Sequence, residues 1–149
     1  MKRLLNQLFL LIIVASWVSC TRDENISQPD FSQAKNIRWR LIAFETVGKG
    51  IIGLQSVDSI FLRFEENGVT SGSSSGLCGN YYQGVYILGG GNSIQVGSVG
   101  TTEAACPDSR YWEYIDKFKR VNSFQLDGSR LYLQHNGATQ RLVFERMSS

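Results

Sequence analysis

The sequence predicts a mainly β domain of α+β type: a strongly bent antiparallel sheet or incomplete β-barrel. It should hold about eight short strands, with one α-helix inserted before the last three. Three observations carry this. Glycine is abundant, at 15 residues, and proline scarce, at 2, which suits tight turns between twisted strands. Short apolar alternations are separated by Asn-Gly, Asp-Gly and Gly-Gly pairs. The period changes to a helical one only once, after Pro107. A length of 149 residues favours one domain, and 42% hydrophobic with 19% charged residues provides a packed core. An open sheet of this many strands tends to curl.

The chain begins with a targeting pattern over residues 1–19. Lys2 and Arg3 precede an apolar run, Leu8 to Val14, that is too short for an ordinary spanning helix. The following "WVSC", ending at Cys20, resembles a bacterial lipobox, with Trp17 where leucine is usual. Cys20 is the expected lipidation site. The expected location is therefore the bacterial cell envelope, lipid-anchored, on an outer membrane and facing the periplasm or the surface. Residues 20–36 are polar, contain Pro29 and lack periodicity, so they read as a flexible tether. The folded domain is expected over 37–149.

Arg38 to Phe44 alternates, with Trp39, Leu41 and Ala43 on one face of a strand. Glu45 to Ser56 reads as a Gly-rich connection. Ser59 to Glu65 alternates through Ile60, Leu62 and Phe64, and Asn67-Gly68 then predicts a type I′ turn. A return strand starts at Val69, Ser73 to Gly76 reads as a loose loop, and "GLCGNYYQGVY" leads a strand to Leu88. Ser93 to Val99 alternates with Ile94 and Val96 on one face. Pro107-Asp108-Ser109 signals a helix start, and Tyr111, Ile115 and Phe118 define an apolar stripe ending near Asn122. Ser123 to Leu126, Arg130 to Gln134 and Gln140 to Glu145 close the chain as strands, with Leu131, Leu133, Leu142 and Phe144 inward.

Charge excludes one class of partner. The chain has 15 basic and 13 acidic residues, and removing a leader with Lys2 and Arg3 brings the balance to neutrality. Nucleic acid needs a basic face, and none is evident. Cysteine is odd in number, at 3. With Cys20 lipidated, Cys78 and Cys106 remain, either paired in an oxidising compartment or as free thiols. One histidine, with no CxxC or His-x-x-His pair, leaves a metal site without ligands at workable spacing.

Two segments together resemble the META domain, the HslJ-like family of bacterial envelope proteins. Asn80, Tyr82, Gly84 and Tyr86 match its "GCN-x-aromatic-x-G-x-Y" strand, and Thr102, Ala105 and Cys106 match its "T-x-x-A-C" segment. Glu113 falls in the helix, the final hairpin matches through its Leu and Phe positions, and Trp39 with Leu41 fits an early "W-x-L" strand. The resemblance covers roughly residues 37–145. Here the family's Gly-Cys is inverted to Cys78-Gly79, which in an ideal strand would turn the sulfur to the other face. Either Gly79 bulges and restores its direction, giving a Cys78–Cys106 disulfide, or the pair does not form.

No catalytic set emerges. His135 sits beside the Asn136-Gly137 turn and reads as solvent-facing, and nothing places it beside a cysteine. The "SGSSSG" run at 71–76 lacks the lysine and the strand–loop–helix context of a phosphate loop. Tyr81, Tyr82, Tyr86, Tyr111, Trp112 and Tyr114 form either a recognition groove or core packing. Gly84, between Tyr82 and Tyr86, should let the helix or another backbone approach. The expected function is non-enzymatic, without cofactor: an envelope lipoprotein with a binding or stress-protective role. Its partners would be the membrane, through the anchor, and a protein or hydrophobic small molecule. The alternative is a carrier of a lipid or small hydrophobe in a barrel-like cavity.

Overall fold

The computed structural model describes residues 30–55, 59–75 and 77–148. The expected leader, Cys20 and the first part of the expected tether lie outside these residues. The strands are β1 (Trp39–Thr46), β2 (Gly50–Gly53), β3 (Phe61–Phe64), β4 (Val69–Ser73), β5 (Tyr81–Leu88) and β6 (Ile94–Thr101). Helix α1 (Ser109–Phe118) follows, then β7 (Ser123–Asp127), β8 (Arg130–His135) and β9 (Gln140–Arg146). The sheet order is β6-β5-β4-β3-β1-β9-β8-β7, with β2 paired to the second half of β1. Every ladder is antiparallel.

The sheet bends until its edges nearly meet. Ile94 N–H donates to Asn122 C=O at 3.2 Å and Phe124 N–H to Asn92 C=O at 2.9 Å. A single bridge joins Ser93 and Ser123, so β6 and β7 touch at one end without a ladder and the barrel stays open. Helix α1 lies in the chain between these edges. Asp108 caps it, its side chain accepting from Arg110 N–H at 2.8 Å, which satisfies an otherwise orphaned donor. Tyr111, Tyr114, Ile115 and Phe118 face inward, and Lys117 suits the C-terminal dipole. The helix ends at Phe118, short of Asn122, whose N–H instead bonds Gln134 C=O at 3.0 Å.

One hydrophobic cluster fills the concave side. Trp39, Phe64, Tyr111, Tyr114, Phe118, Phe124 and Phe144 are among its fully buried members. Phe31, Phe64, Tyr86 and Phe124 meet at centroid distances of 4.7–5.6 Å, mostly edge to face, the arrangement the ring quadrupole favours.

Three local expectations need correction. The domain starts before residue 37: Phe31–Ala34 forms a 3₁₀ turn with Phe31 and Ala34 buried, and Trp39 Nε1–H donates to Ala34 C=O at 2.9 Å. Residues 31–36 are therefore part of the packed domain, because one large apolar side chain in a polar stretch anchors them. The Gly-rich connection contains a ninth strand, β2. Its Ile51 and Ile52 are both exposed, so no alternation betrays it. At the β3–β4 turn only Gly68 has positive φ, at 78°, so the turn is not type I′; Asn67 Oδ1 instead accepts from Val69 N–H at 3.1 Å.

Candidate functional surface

The motif residues of β5 point two ways. Tyr82, Gly84 and Tyr86 face the core, while Tyr81, Gln83, Val85 and Ile87 face solvent. The inward set is architectural. Tyr82 O–H donates to Phe61 C=O at 2.6 Å, so its 2.6 Å contact with Tyr114 uses the Tyr114 proton. Burial pushes both phenols well above the ordinary range, which keeps them neutral. Tyr86 O–H donates to Glu65 C=O at 2.5 Å, fixing the β3–β4 turn. Gly84 sits opposite a bulge in β6. A Cβ there would come 3.0 Å from Val99 Cγ2 and 3.1 Å from Gly97 C=O, so the approaching backbone is β6 and not the helix.

Asn80 is fully buried and acts as a latch. Its Oδ1 accepts from Ala104 N–H and the Thr102 hydroxyl, both at 3.0 Å, and its Nδ2 donates to Ala104 C=O at 3.1 Å. Thr102 is thereby held against β5, whereas Ala105 is exposed. Cys78 and Cys106 form a disulfide with Cα atoms 4.9 Å apart, across a separation of 28 residues. The inverted Cys78-Gly79 order does no harm because Cys78 precedes the strand. It lies in a turn in which Ser74 C=O accepts from the N–H groups of Cys78 and Gly79, and Gly79 takes a left-handed φ of 67°.

His135 is a correction. It is 2% exposed, not solvent-facing, because it continues the inward alternation of Leu131 and Leu133. Its Nε2 has no hydrogen-bond partner, and burial together with Lys117 and Arg120 holds its pKa below the ordinary value. The disulfide leaves neither Cys78 nor Cys106 as a nucleophile to join it. Among the described residues no group of three or more His, Cys, Asp and Glu could hold a metal ion.

The outer face offers a different arrangement. β4 presents the small residues Ser71 and Ser73 outward, between larger side chains of both neighbours. Phe61 pairs with Ser73, which pairs with Tyr81; Arg63 pairs with Ser71, which pairs with Gln83. Adjacent strands are about 4.8 Å apart, so the two walls stand roughly 10 Å apart over a serine floor. Two open grooves, about 1000 Å³ on the β5–β6 side and about 680 Å³ on the β1–β3 side, share Ser71, Gly72 and Ser73. They form one trough. Tyr81 is 67% exposed, Ile87 66% and Val85 44%, an apolar stripe beside it.

Beneath the floor, Gly72 is a residue that sequence reasoning passed over. A Cβ at Gly72 would lie 2.1 Å from both Phe61 C=O and Tyr82 Oη, so only glycine admits the Tyr82 ring. A glycine inside a strand was the available signal. Arg38, Arg63, Ser71 and Ser73 were missed as site residues because strand register, which groups them, is not written in the sequence.

The fold and this surface define a small α+β domain: a bent, incomplete barrel plugged by one helix and carrying an open trough outside. The chain belongs to the META domain family, whose model matches residues 32–149. Two solved structures share the fold. A protein from Burkholderia xenovorans, solved by NMR, superposes with a TM-score of 0.62 at 21% identity, covering 79% of this chain and 86% of that one. A DUF4847 family protein from Bacteroides vulgatus, a crystal structure, gives 0.59 at 14% identity, covering 80% and 98%. No match is found among curated proteins.

Proposed function

We propose that this chain is a non-enzymatic, lipid-anchored bacterial envelope protein of META type that works by binding, in a stress-protective role. Its anchor is a lipid on Cys20, its location the envelope, and its partner a protein or hydrophobic small molecule met on the outer face of β3 to β6. The observation that carries the reading is the division of β5. Its inward motif residues are consumed in packing and hydrogen bonds, while Tyr81, Val85 and Ile87 stand exposed beside an open trough. Exposed apolar stripes of this kind mark interaction sites. The internal-carrier alternative has less support, since the concave side is occupied by one aromatic-rich cluster.

The test is complementation. In a strain lacking the protein, Tyr81→Asp with Val85→Asp should fail to restore survival under heat or drug challenge. Ile51→Ser with Ile52→Ser, on β2, should restore it. Full rescue by the outer-face variant would remove the binding reading. Intact mass of the membrane-extracted protein tests the anchor, which falls if Cys20 carries no diacylglycerol.

A further inference from the structure

We infer that the trough along β4 takes an amphiphile, its anionic head held by Arg38 and Arg63 and its apolar tail laid toward Tyr81 and Val85. This ligand class rests on the outer face being the binding surface proposed above.

The arginines supply the first observation. The β1–β3 ladder pairs Arg40 with Phe61 and Trp39 with Leu62, so Arg38 and Arg63, the next residue on each segment, lie at the same end of the ladder and line one groove. Like charges brought together on a sheet repel. The described ion pairs engage Arg40, Arg110, Arg120 and Arg141 but neither Arg38 nor Arg63, nor the nearby Arg146. Both Arg38 and Arg63 are exposed and line the groove on the β1–β3 side, with Arg146 at its end. Glu65, two residues beyond Arg63, has its carboxylate 3.3 Å from the Ser71 hydroxyl, which donates to it.

The second observation is orientation. The Arg38 guanidinium lies 3.8 Å above the centroid of Phe61. Stacking of this kind fixes the group while leaving its in-plane N–H donors open, the geometry that takes a carboxylate or phosphate in a two-bond fork. The third is continuity. The arginine groove and the apolar groove share Ser71, Gly72 and Ser73, so a ligand can span both without leaving the surface. Charge at one end and apolar side chains at the other match an amphiphile better than a wholly ionic or wholly apolar ligand.

The experiment uses the full chain, isotope-labelled for NMR. Octanoate, octan-1-ol of equal chain length, and acetate are titrated separately. Octanoate should give saturable shifts at Arg63, Ser71, Ser73 and Gln83. Octan-1-ol should bind at least about tenfold more weakly, as loss of charge-assisted hydrogen bonds implies, and acetate should not saturate. Arg63→Gln or Arg38→Gln should weaken octanoate about tenfold and leave octan-1-ol unchanged. Equal affinity for octanoate and octan-1-ol, or arginine variants without effect, would overturn the head assignment while the outer-face reading stands. Acetate binding as tightly as octanoate would overturn the tail. No shift in the trough with any probe would overturn the ligand class, and complementation would then judge the surface by itself.

Discussion

Replacing Gly72 with alanine adds one methyl group, and the structure says where it goes. The new Cβ would lie 2.1 Å from Phe61 C=O, 2.1 Å from Tyr82 Oη and 2.2 Å from Tyr82 Cζ. Each is more than an ångström inside normal contact. Gly72 does not have a positive φ, so backbone strain contributes nothing and the effect is steric. The Phe61 carbonyl belongs to a β-ladder and cannot retreat, so the Tyr82 ring must swing. That motion breaks two 2.6 Å hydrogen bonds inside the core. Overpacking costs about 1–3 kcal/mol, and an orphaned buried group adds about 1–3 kcal/mol. A loss of about 2–6 kcal/mol follows, a large share of the roughly 5–15 kcal/mol that holds a domain folded. Urea unfolding, followed by fluorescence of the buried Trp39, reads it directly. Gly100→Ala is the control, since its Cβ meets nothing within 4 Å and should change stability by no more than about 0.5 kcal/mol. Tyr82→Phe should not rescue Gly72→Ala, because Cζ and the Phe61 carbonyl remain. A Gly72→Ala midpoint matching that of Gly100→Ala, at unchanged m-value, would refute the packing assigned to Tyr82.

The remaining predictions concern the latch, the disulfide and the buried histidine. Asn80→Ala should cost about 2–3 kcal/mol by removing three side-chain hydrogen bonds, two of them to the Ala104 backbone, and should speed amide exchange at Ala104; an unchanged exchange rate there counts against the latch. Cys78→Ser with Cys106→Ser should cost about 3–4 kcal/mol on loop-closure grounds, and a thiol count without reductant should find neither residue free. His135 has a depressed folded pKa, so the folded state resists its protonation more than the unfolded chain does. Its contribution is present above the unfolded value near 6.5 and is lost as pH falls below that toward the folded value. His135→Leu should flatten the stability profile in that window; an unchanged slope contradicts the buried neutral assignment.

Much of the fold was legible because period-two alternation reports the buried face directly. Ile60, Leu62 and Phe64, Tyr82 and Tyr86, and Leu142 and Phe144 all lie inside as the alternation requires. The helix was legible through the proline, the Asp108 cap and the spacing of Tyr111, Ile115 and Phe118. β2 was not, because "GIIG" has no alternation and both isoleucines are exposed. For His135 the neighbouring turn suggests exposure, whereas its place two residues after Leu133 sets it inside. The Cys78-Gly79 inversion looked decisive only under the assumption of a strand, whereas a left-handed glycine in a turn absorbs it. The trough is a property of register: Arg63 and Gln83 are distant in sequence and face each other across Ser71 only once β3, β4 and β5 pair.

In the proposed function β5 separates architecture, on its inner face, from recognition, on its outer face. The measurement is a crossed comparison of single variants, Tyr82→Phe and Tyr86→Phe on the inner face against Tyr81→Ser and Val85→Ser on the outer one. Each is scored for urea midpoint and for survival of the complemented strain under envelope stress. Lowered midpoints are expected only for the inner pair, and lowered survival at an unchanged midpoint only for the outer pair. Outer-face variants that restore full survival, or inner-face variants that unfold at the wild-type midpoint, would contradict it.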